Sequence, residues 1–336
     1  MIKFLYFTDV HAKGISPSTR TDDYPRTVDA KLKEVFQIGH ENDVDAFLLG
    51  GDLFDTAFTS PGYIIHLGEL MRVHLKGKHI YGIWGNHDME AWNPNSIRKL
   101  SIGVFEAFAN FFHILDRFPK RFTGKSGQTV RLSGVSSYPG MDRHVFDDDG
   151  NIIEHRSRDY IVKEEEDGLP RIHIVHGYLS PTAILDNIHH TVIEEMFETE
   201  ATVTLTAHEH KGFPITKTSK GLVYNPGALT RVSASYSEMN RSPRVALITI
   251  HDDGTPEIEP IPLKTALPGS EVMDRSVIEE KNRKEAIISE VRGNMKEVLG
   301  SIELDEIDLS VIMENMRESV EPAVFEDVAK RLKINL

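Results

Sequence analysis

The amino-acid sequence predicts a mixed α/β fold with largely parallel strands, followed by a helical C-terminal region. Three observations lead there. Short apolar runs alternate with helix-patterned segments from Ile2 to Trp84, and strand–helix alternation implies βαβ units. Several of the apolar runs end abruptly in polar residues beside glycine, as strands do when they deliver side chains to the carboxyl edge of an open sheet. The apolar runs between residues 214 and 261 are short and closely spaced, which predicts antiparallel pairing there.

The elements follow in order. Residues 2–8 read as a buried strand ending at Asp9 and His11. Residues 25–42 read as a helix, with proline early and Val28, Leu32, Val35, Phe36 and Ile38 near helical spacing. Residues 45–49 form a second strand, ending in Gly50-Gly51-Asp52-Leu53-Phe54-Asp55. Residues 61–76 read as a second helix and residues 79–84 as a third strand, ending in Gly85-Asn86-His87-Asp88. The Phe-rich stretch 94–115 reads as helical, its Phe105, Phe108, Phe111 and Phe112 serving the core or a dimer face. Strands follow at 129–135, 171–175, ending at His176-Gly177, and 202–206, ending at Ala207-His208-Glu209-His210. Between them, residues 141–167 read as an insertion with a turn at Asp147–Asn151 and an acidic run at 164–167. Short strands at 214–217, 222–224, 244–250 and 257–261 complete a domain spanning residues 1–265. Beyond the prolines between 256 and 268 the periodicity turns helical: Ile287, Val291, Met295 and Val298, then Val324, Val328 and Leu332. Residues 266–336 are therefore a separate helical region, a cap or a partner-binding segment.

The chain has 336 residues, 40% of them hydrophobic, enough for a large core. It has no cysteine, which excludes disulfides, thiolate metal sites and cysteine nucleophiles. No stretch approaches the roughly 18–20 apolar residues of a membrane span. The N-terminal apolar run reads as a first strand and not a signal peptide, so the expected location is cytoplasmic. A net charge of −14 weighs against strong non-specific binding of polyanions, which relies on Lys and Arg.

Five strand ends carry residues suited to metals: Asp9 and His11; Asp52 and Asp55; Asn86, His87 and Asp88; His176; His208 and His210. Oxygen and imidazole donors without thiolate suit Mn, Fe or Zn better than Mg or Ca. A carboxylate such as Asp52 can bridge two ions, and paired ions can clamp an in-line displacement at phosphorus.

Asp9-Val10-His11, Gly51-Asp52-Leu53-Phe54-Asp55, Gly85-Asn86-His87-Asp88, His176-Gly177 and Ala207-His208-Glu209-His210 resemble the five ordered motifs of the calcineurin-like metallophosphoesterase superfamily. Ala207 stands where that superfamily usually has glycine. The resemblance implies a four-layer α/β/β/α sandwich with two divalent ions, Mn first, with Fe, Zn or Mg as alternatives. It implies that Asp9, His11 and His210 hold one ion, that Asn86, His176 and His208 hold the other, and that Asp52 bridges them. His87 would stabilise the transition state or protonate the leaving oxygen, and Asp55 and Asp88 would orient His87 or a ligand. The remaining histidines, such as His40, His113 and His173, read as structural.

Within the superfamily, Gly51-Asp52-Leu53-Phe54-Asp55-Thr56 and Asn86-His87-Asp88 look most similar to the SbcD-type DNA repair nucleases. The Ser/Thr protein phosphatases have Asp-Arg-Gly and Asn-His-Glu at those places. The first motif departs from the nucleases, which commonly have Asp-Trp-His-Leu-Gly. The implied function is a DNA nuclease or nuclease subunit, homodimeric, with an ABC-type coiled-coil ATPase (SbcC-like) as partner. Two rivals stand beside it: a phosphodiesterase for a small substrate such as a cyclic nucleotide, and a scaffold subunit with structural metals. The basic island Lys211, Lys217, Lys220, Arg231, Arg241 and Arg244, opposed by Glu238, offers Lys217, Arg231 and Arg244 as candidate DNA contacts beside the site.

Overall fold

The computed structural model describes residues 1–276 except 116, 164–166 and 186, together with 279–280, 283–285, 287–289 and 330. The chain forms two compact units, Met1–Asp274 and Arg275–Leu336. The described part of the second unit is helical between 276 and 289, with Lys284 paired to Glu280 one turn away. The expected stripe residues Val291, Met295, Val298, Val324, Val328 and Leu332, and the acids at 164–166, lie outside the described residues. Among the described residues no helix is long and apolar enough to cross a membrane.

The first unit begins with β1 (Ile2–Phe7), α1 (Tyr24–Glu41), β2 (Ala46–Leu49), α2 (Pro61–Leu75), β3 (Ile80–Gly82), α3 (Ser101–Phe108) and β4 (Phe112–Ile114). It continues with β5 (Lys120–Thr123), β6 (Thr129–Val135), β7 (Val145–Phe146), β8 (Ile152–Glu154), β9 (Arg171–Val175), β10 (Leu179–Ser180) and β11 (Thr191–Val192). Last come β12 (Val203–Thr206), β13 (Phe213–Lys217), β14 (Leu222–Asn225), α4 (Tyr236–Asn240), β15 (Arg244–Ile250), β16 (Pro256–Pro262) and α5 (Gly269–Val272).

The two large sheets have six strands each, in the orders β16-β15-β1-β2-β3-β4 and β13-β14-β12-β9-β6-β5. Strands β1 to β4 are parallel, as the alternation with helices predicts. Period-two alternation sorts the side chains. Ile2, Phe4 and Tyr6 of β1 join Ile172, Ile174, Val203 and Leu205 between the sheets. Leu5 and Phe7 instead meet Val28, Leu32, Val35 and Leu67 of the covering helices. The outer side of the second sheet packs on Tyr160, Ile193 and Met196, in and around short 3₁₀ turns. This is the expected four-layer arrangement with a thin fourth layer.

Helix starts follow local rules. Asp23 caps α1, its carboxylate accepting from the Arg26 amide, and Ser60 caps α2 in the same way on Tyr63. Proline occupies the first turn of both.

One expectation needs correction. The helix predicted over 94–115 does not form in one piece: a 3₁₀ turn (Pro94–Lys99), α3 and then β4 occupy it. The Phe periodicity runs past the end of α3, because the Ile80 amide donates to the Phe111 carbonyl and β4 extends the sheet beside β3. Long-range pairing overrides the local pattern. The late strands pair antiparallel with one another as expected, β13 with β14 and β15 with β16, while β14 also lies parallel to β12 within the second sheet.

Candidate metal centre

Every candidate ligand lies just past the carboxyl end of a parallel strand. Asp9 and His11 follow β1, Asp52 follows β2, and Asn86 follows β3. His176 follows β9, and His208 and His210 follow β12. The first three strands are neighbours in one sheet and the last two in the other, so the edges of the packed sheets bring all seven residues together. The loops after β1 and β2 stay zipped: the amides of Asp9, His11 and Ala12 donate to the carbonyls of Gly51, Asp52 and Leu53 at 3.1, 3.0 and 2.9 Å.

The backbone there is strained. Asp9, His11, Asp52 and His208 all have left-handed backbone, with φ of 51°, 48°, 48° and 70°. Non-glycine residues adopt it only where the surroundings over-determine it, and such sites cluster at functional centres. Gly85 is required by close approach, since a Cβ there would collide with the Asp52 carboxylate and the His176 ring.

The donor atoms form two overlapping groups. Asp9, His11 and His210 converge on one point, and Asp52, His176 and His208 on another. The Nε2 atoms of His11 and His210 face each other at 3.0 Å. Asn86 Oδ1 completes the second group, 2.7 Å from His208 Nδ1 and 3.1 Å from His176 Nε2. Asp52 Oδ2 stands between them, 3.8 Å from His11 Nε2 and 3.4 Å from His176 Nε2. A third grouping brings His87 to His11 and Asp52.

These residues fit two divalent cations on structural grounds. Asp9 Oδ1 and Asp52 Oδ2 are buried, face the centre and have no hydrogen-bond partner, which buried carboxylate oxygens rarely tolerate. Their other oxygens are occupied: Asp9 Oδ2 accepts from Thr8 Oγ1 at 2.7 Å, and Asp52 Oδ1 from the His87 amide at 2.9 Å. His176 Nδ1 donates to the Gly50 carbonyl at 2.7 Å, which turns Nε2 inward.

The electrostatics follow from burial and crowding. Burial alone would raise the Asp52 carboxyl, but the imidazoles of His176 and His11 outweigh it and hold that carboxyl well below its usual range. Burial would lower His176, yet Asp52 beside it pushes the imidazole up to about 9. Burial pushes His11 well down and takes His208 to about 3. Burial raises Asp9, with His176 and His210 partly compensating.

The two expected supporting acids take different parts. Asp88 is fully buried and touches no histidine ring. Its Oδ2 accepts from the amides of Gly85 and Leu53, and its Oδ1 from that of Phe54, so it ties the β2 loop to the β3 loop. Burial, with Asp52 nearby, raises it to about 7. The Asp55 carbonyl accepts from His87 Nδ1 at 2.8 Å. Its carboxylate accepts from Lys13 Nζ at 2.7 Å and lies 3.7 Å from His11 Nδ1.

One residue was not singled out as part of the site from the sequence. Glu238 is buried in α4, with Oε1 3.7 Å from His210 Nδ1, and Arg241 clasps it at 2.9 and 3.0 Å. That puts a carboxylate behind the His210 ring, beyond hydrogen-bond distance. The one signal was an acid alone in a basic island.

Two members of the basic island, Arg231 and Arg241, are structural. Arg231 is 3% exposed, and its guanidinium donates to the carbonyls of Leu267 and Arg241. It offers no surface charge, which corrects its expected role in DNA contact. Lys31 Nζ holds the Leu229 carbonyl at 2.8 Å, Arg20 holds that of Arg231 at 3.1 Å, and Arg241 holds those of Ala228 and Thr230. Segment 228–231 in turn braces the ligand loop, since the Leu229 amide donates to the Thr8 carbonyl and Thr230 Oγ1 to that of Val10. Lys217 pairs with Leu222, which lies level with Val203 at the start of β12. That is the sheet end away from the ligands, and it removes Lys217 from the expected basic track. Arg244 opens β15 level with the carboxyl end of β1, and alone of the three stands at the right edge.

A cavity of about 500 Å³ opens beside His176 and His208, walled by segments 137–143, 176–178 and 187–189. Asp142 joins the walls: Oδ1 accepts from Tyr160 Oη and Thr191 Oγ1, and Oδ2 from the Tyr178 amide. Burial pushes its carboxyl up to about 6 despite these donors. The folded state therefore holds this proton more tightly than the unfolded chain does. Its contribution favours folding below about pH 4 and is lost as pH rises to about 6, on the order of 3 kcal/mol. Asp142→Asn should flatten this slope, measured by urea unfolding between about pH 4 and pH 7; an unchanged slope would refute the assignment.

The chain matches the calcineurin-like phosphoesterase family over residues 2–212, a range that contains every ligand loop. A search of curated proteins finds no match. The solved structures the chain matches include a dimetal phosphatase from Danio rerio, 13% identical, covering 78% of this chain and 96% of that one at a TM-score of 0.49. The calcineurin-like phosphoesterase YfkN from Bacillus subtilis is 12% identical, covering 78% of this chain and 90% of that one at 0.44. TT1561 from Thermus thermophilus is 10% identical, with 77% and 98% covered at 0.44. Ordered ligand loops and a match that spans all of them place this chain in the calcineurin-like phosphoesterase family.

Proposed function

We propose that this chain hydrolyses phosphodiesters of nucleic acid with two divalent ions, Mn first among the candidates. Asp9, His11 and His210 would hold one ion, Asn86, His176 and His208 the other, and Asp52 both. The observation that carries this reading is Asp52 Oδ2, buried, unpartnered and placed between two donor groups. Ions held there supply positive charge to the phosphoryl oxygens and a water activated near neutral pH.

The chain's own residues do the rest. The Gly50 carbonyl orients the ring of His176 from behind, and the Glu238 carboxylate places negative charge 3.7 Å from His210 Nδ1. The Asp55 carbonyl accepts a hydrogen bond from His87 Nδ1–H, so in the imidazolium form the second proton, on Nε2, is the one available to the leaving oxygen. His87 is exposed at the mouth of the centre, where a leaving group departs. The DNA nuclease reading, with a coiled-coil ATPase partner and a second copy of the chain, rests on the motif resemblance. A second reading, a phosphodiesterase for nucleotide-sized substrates, is favoured by the burial of Arg231 and the remoteness of Lys217, which remove two of the three expected DNA contacts.

A substrate panel with Mn tests both. The nuclease reading expects degradation of linear single- and double-stranded DNA. Turnover of cyclic nucleotides with none of DNA would leave the second reading. Turnover of neither, nor of bis-p-nitrophenyl phosphate, would overturn both.

A further inference from the structure

The cavity beside His176 and His208 adjoins the ligand cluster, sharing those two rings, and its other walls have a distinct chemistry. Trp92 stands at its edge and Tyr178 and Tyr138 line it, while Arg143, Asn187 and His189 bring polar groups to its rim. Trp92 is 54% exposed, so its ring is open to a ligand entering the cavity.

The backbone presents that ring at a cost. Ala91 and Trp92 are consecutive left-handed residues, with φ of 48° and 56°. Neither is glycine, and each such residue costs about 1–2 kcal/mol. The segment is held by the Asn93 amide on the Glu90 carbonyl at 2.9 Å, and by the Asn93 side chain accepting from the Asn95 amide at 3.1 Å. The strained pair lies only a few residues past Asn86 and His87, so the same loop carries a candidate ligand, the candidate proton donor and the exposed indole. On the opposite side, Tyr178 packs edge-on to His208, ring centres 5.6 Å apart. Asp142 locks the Tyr178 amide and Thr191 to the 140–143 wall, so the cavity is built and not an accident of loose loops.

A planar ligand fits this description, and roughly 300–1,000 Å³ is the usual size of a small-molecule pocket. Stacking on aromatic side chains is how proteins hold unpaired bases without reading sequence. We propose that this cavity receives an unpaired nucleobase, stacked on Trp92, of a nucleotide whose phosphate lies at the adjoining donor cluster. Arg143, Asn187 and His189 then meet the base edge or the neighbouring phosphate. The inference rests on the proposed function and narrows it: a base reaches the cavity from a mononucleotide ester, a single strand or a frayed end, and not from inside a closed duplex.

The test is a binding measurement on the Mn-loaded protein, with deoxyadenosine 5′-thiophosphate and deoxyribose 5-thiophosphate as probes. Both carry the phosphate group, and only the first carries a base. Tryptophan fluorescence follows the titration; the chain has two tryptophans. The expected result is tighter binding of the base-bearing probe, by roughly five- to a hundredfold, with quenching of the Trp92 signal. Trp92→Ala should abolish this discrimination and Trp92→Phe should keep part of it. Equal affinity of the parent protein for the two probes, or discrimination surviving in Trp92→Ala, would overturn the proposal. The parent comparison needs no variant, so a misfolded variant does not block it. Failure of the function reading is seen separately, as absence of Mn-dependent hydrolysis of bis-p-nitrophenyl phosphate.

Discussion

Replacing His87 by Ala should leave both metal ions bound and lower turnover by about 10²–10⁴, the usual contribution of a positioned acid or base. The geometry supports each half. His87 Nδ1 is held by the Asp55 carbonyl at 2.8 Å, and its amide, which the substitution retains, is what donates to Asp52 Oδ1. Removing the ring therefore leaves the Asp52 carboxylate in place. Its ring lies edge-on to that of His11, centres 4.7 Å apart, close enough to act on a group bound at the centre. If proton donation is the role, the loss should be greater for a nucleotide alkoxide than for p-nitrophenolate, which leaves without help. Metal analysis decides the alternative raised by the grouping of His87 with His11 and Asp52: loss of an ion from His87→Ala would make it a ligand.

Asp52→Asn should be the most damaging single change. Asparagine can keep the carbonyl that accepts from the His87 amide, but it turns an amide –NH₂ toward the point now occupied by Oδ2. A donor there repels cations from both groups at once. The expected outcome is fewer than two ions per chain and a loss of at least about 10³ in turnover, on the order of 4 kcal/mol of barrier. Elemental analysis and hydrolysis of bis-p-nitrophenyl phosphate read the two effects. Parent-level turnover with two ions retained would show that Asp52 does not bridge.

The legible part of the molecule was local. Each ligand loop is a short apolar run followed at once by its polar residues, most beside glycine, and strand geometry then fixes where those residues emerge. The strand ends could be picked out that way, and the resemblance to the calcineurin-like motifs then implied Asp9, His11, Asp52, Asn86, His176, His208 and His210 as the ligands, which are found together. Non-local features were hidden. β4 owes its existence to pairing with β3, not to its own pattern. Lys31 sits on the buried face of α1, where it would be discounted as a break in the stripe; its reason is a carbonyl 198 residues away. Arg231 looks like surface charge in sequence and is consumed by backbone oxygens in the fold. Glu238 gains meaning only once His210 lies 3.7 Å from it. Sequence spacing carries no information about such partners.

Asp88 shows how a correct residue can carry an unforeseen task. The expected role was to orient His87 or a ligand. Its carboxylate instead gathers three backbone amides from two loops, setting the positions from which Asp52 and Asn86 approach. It acts on the centre through the main chain.

The central claim is that this chain builds one centre for two ions around Asp52. Anomalous diffraction from crystals of the full chain grown with Mn tests it most directly. The account predicts two peaks, one on each side of Asp52 Oδ2, the first within reach of Asp9, His11 and His210 and the second of Asn86, His176 and His208. A single peak, or peaks away from Asp52, would contradict it.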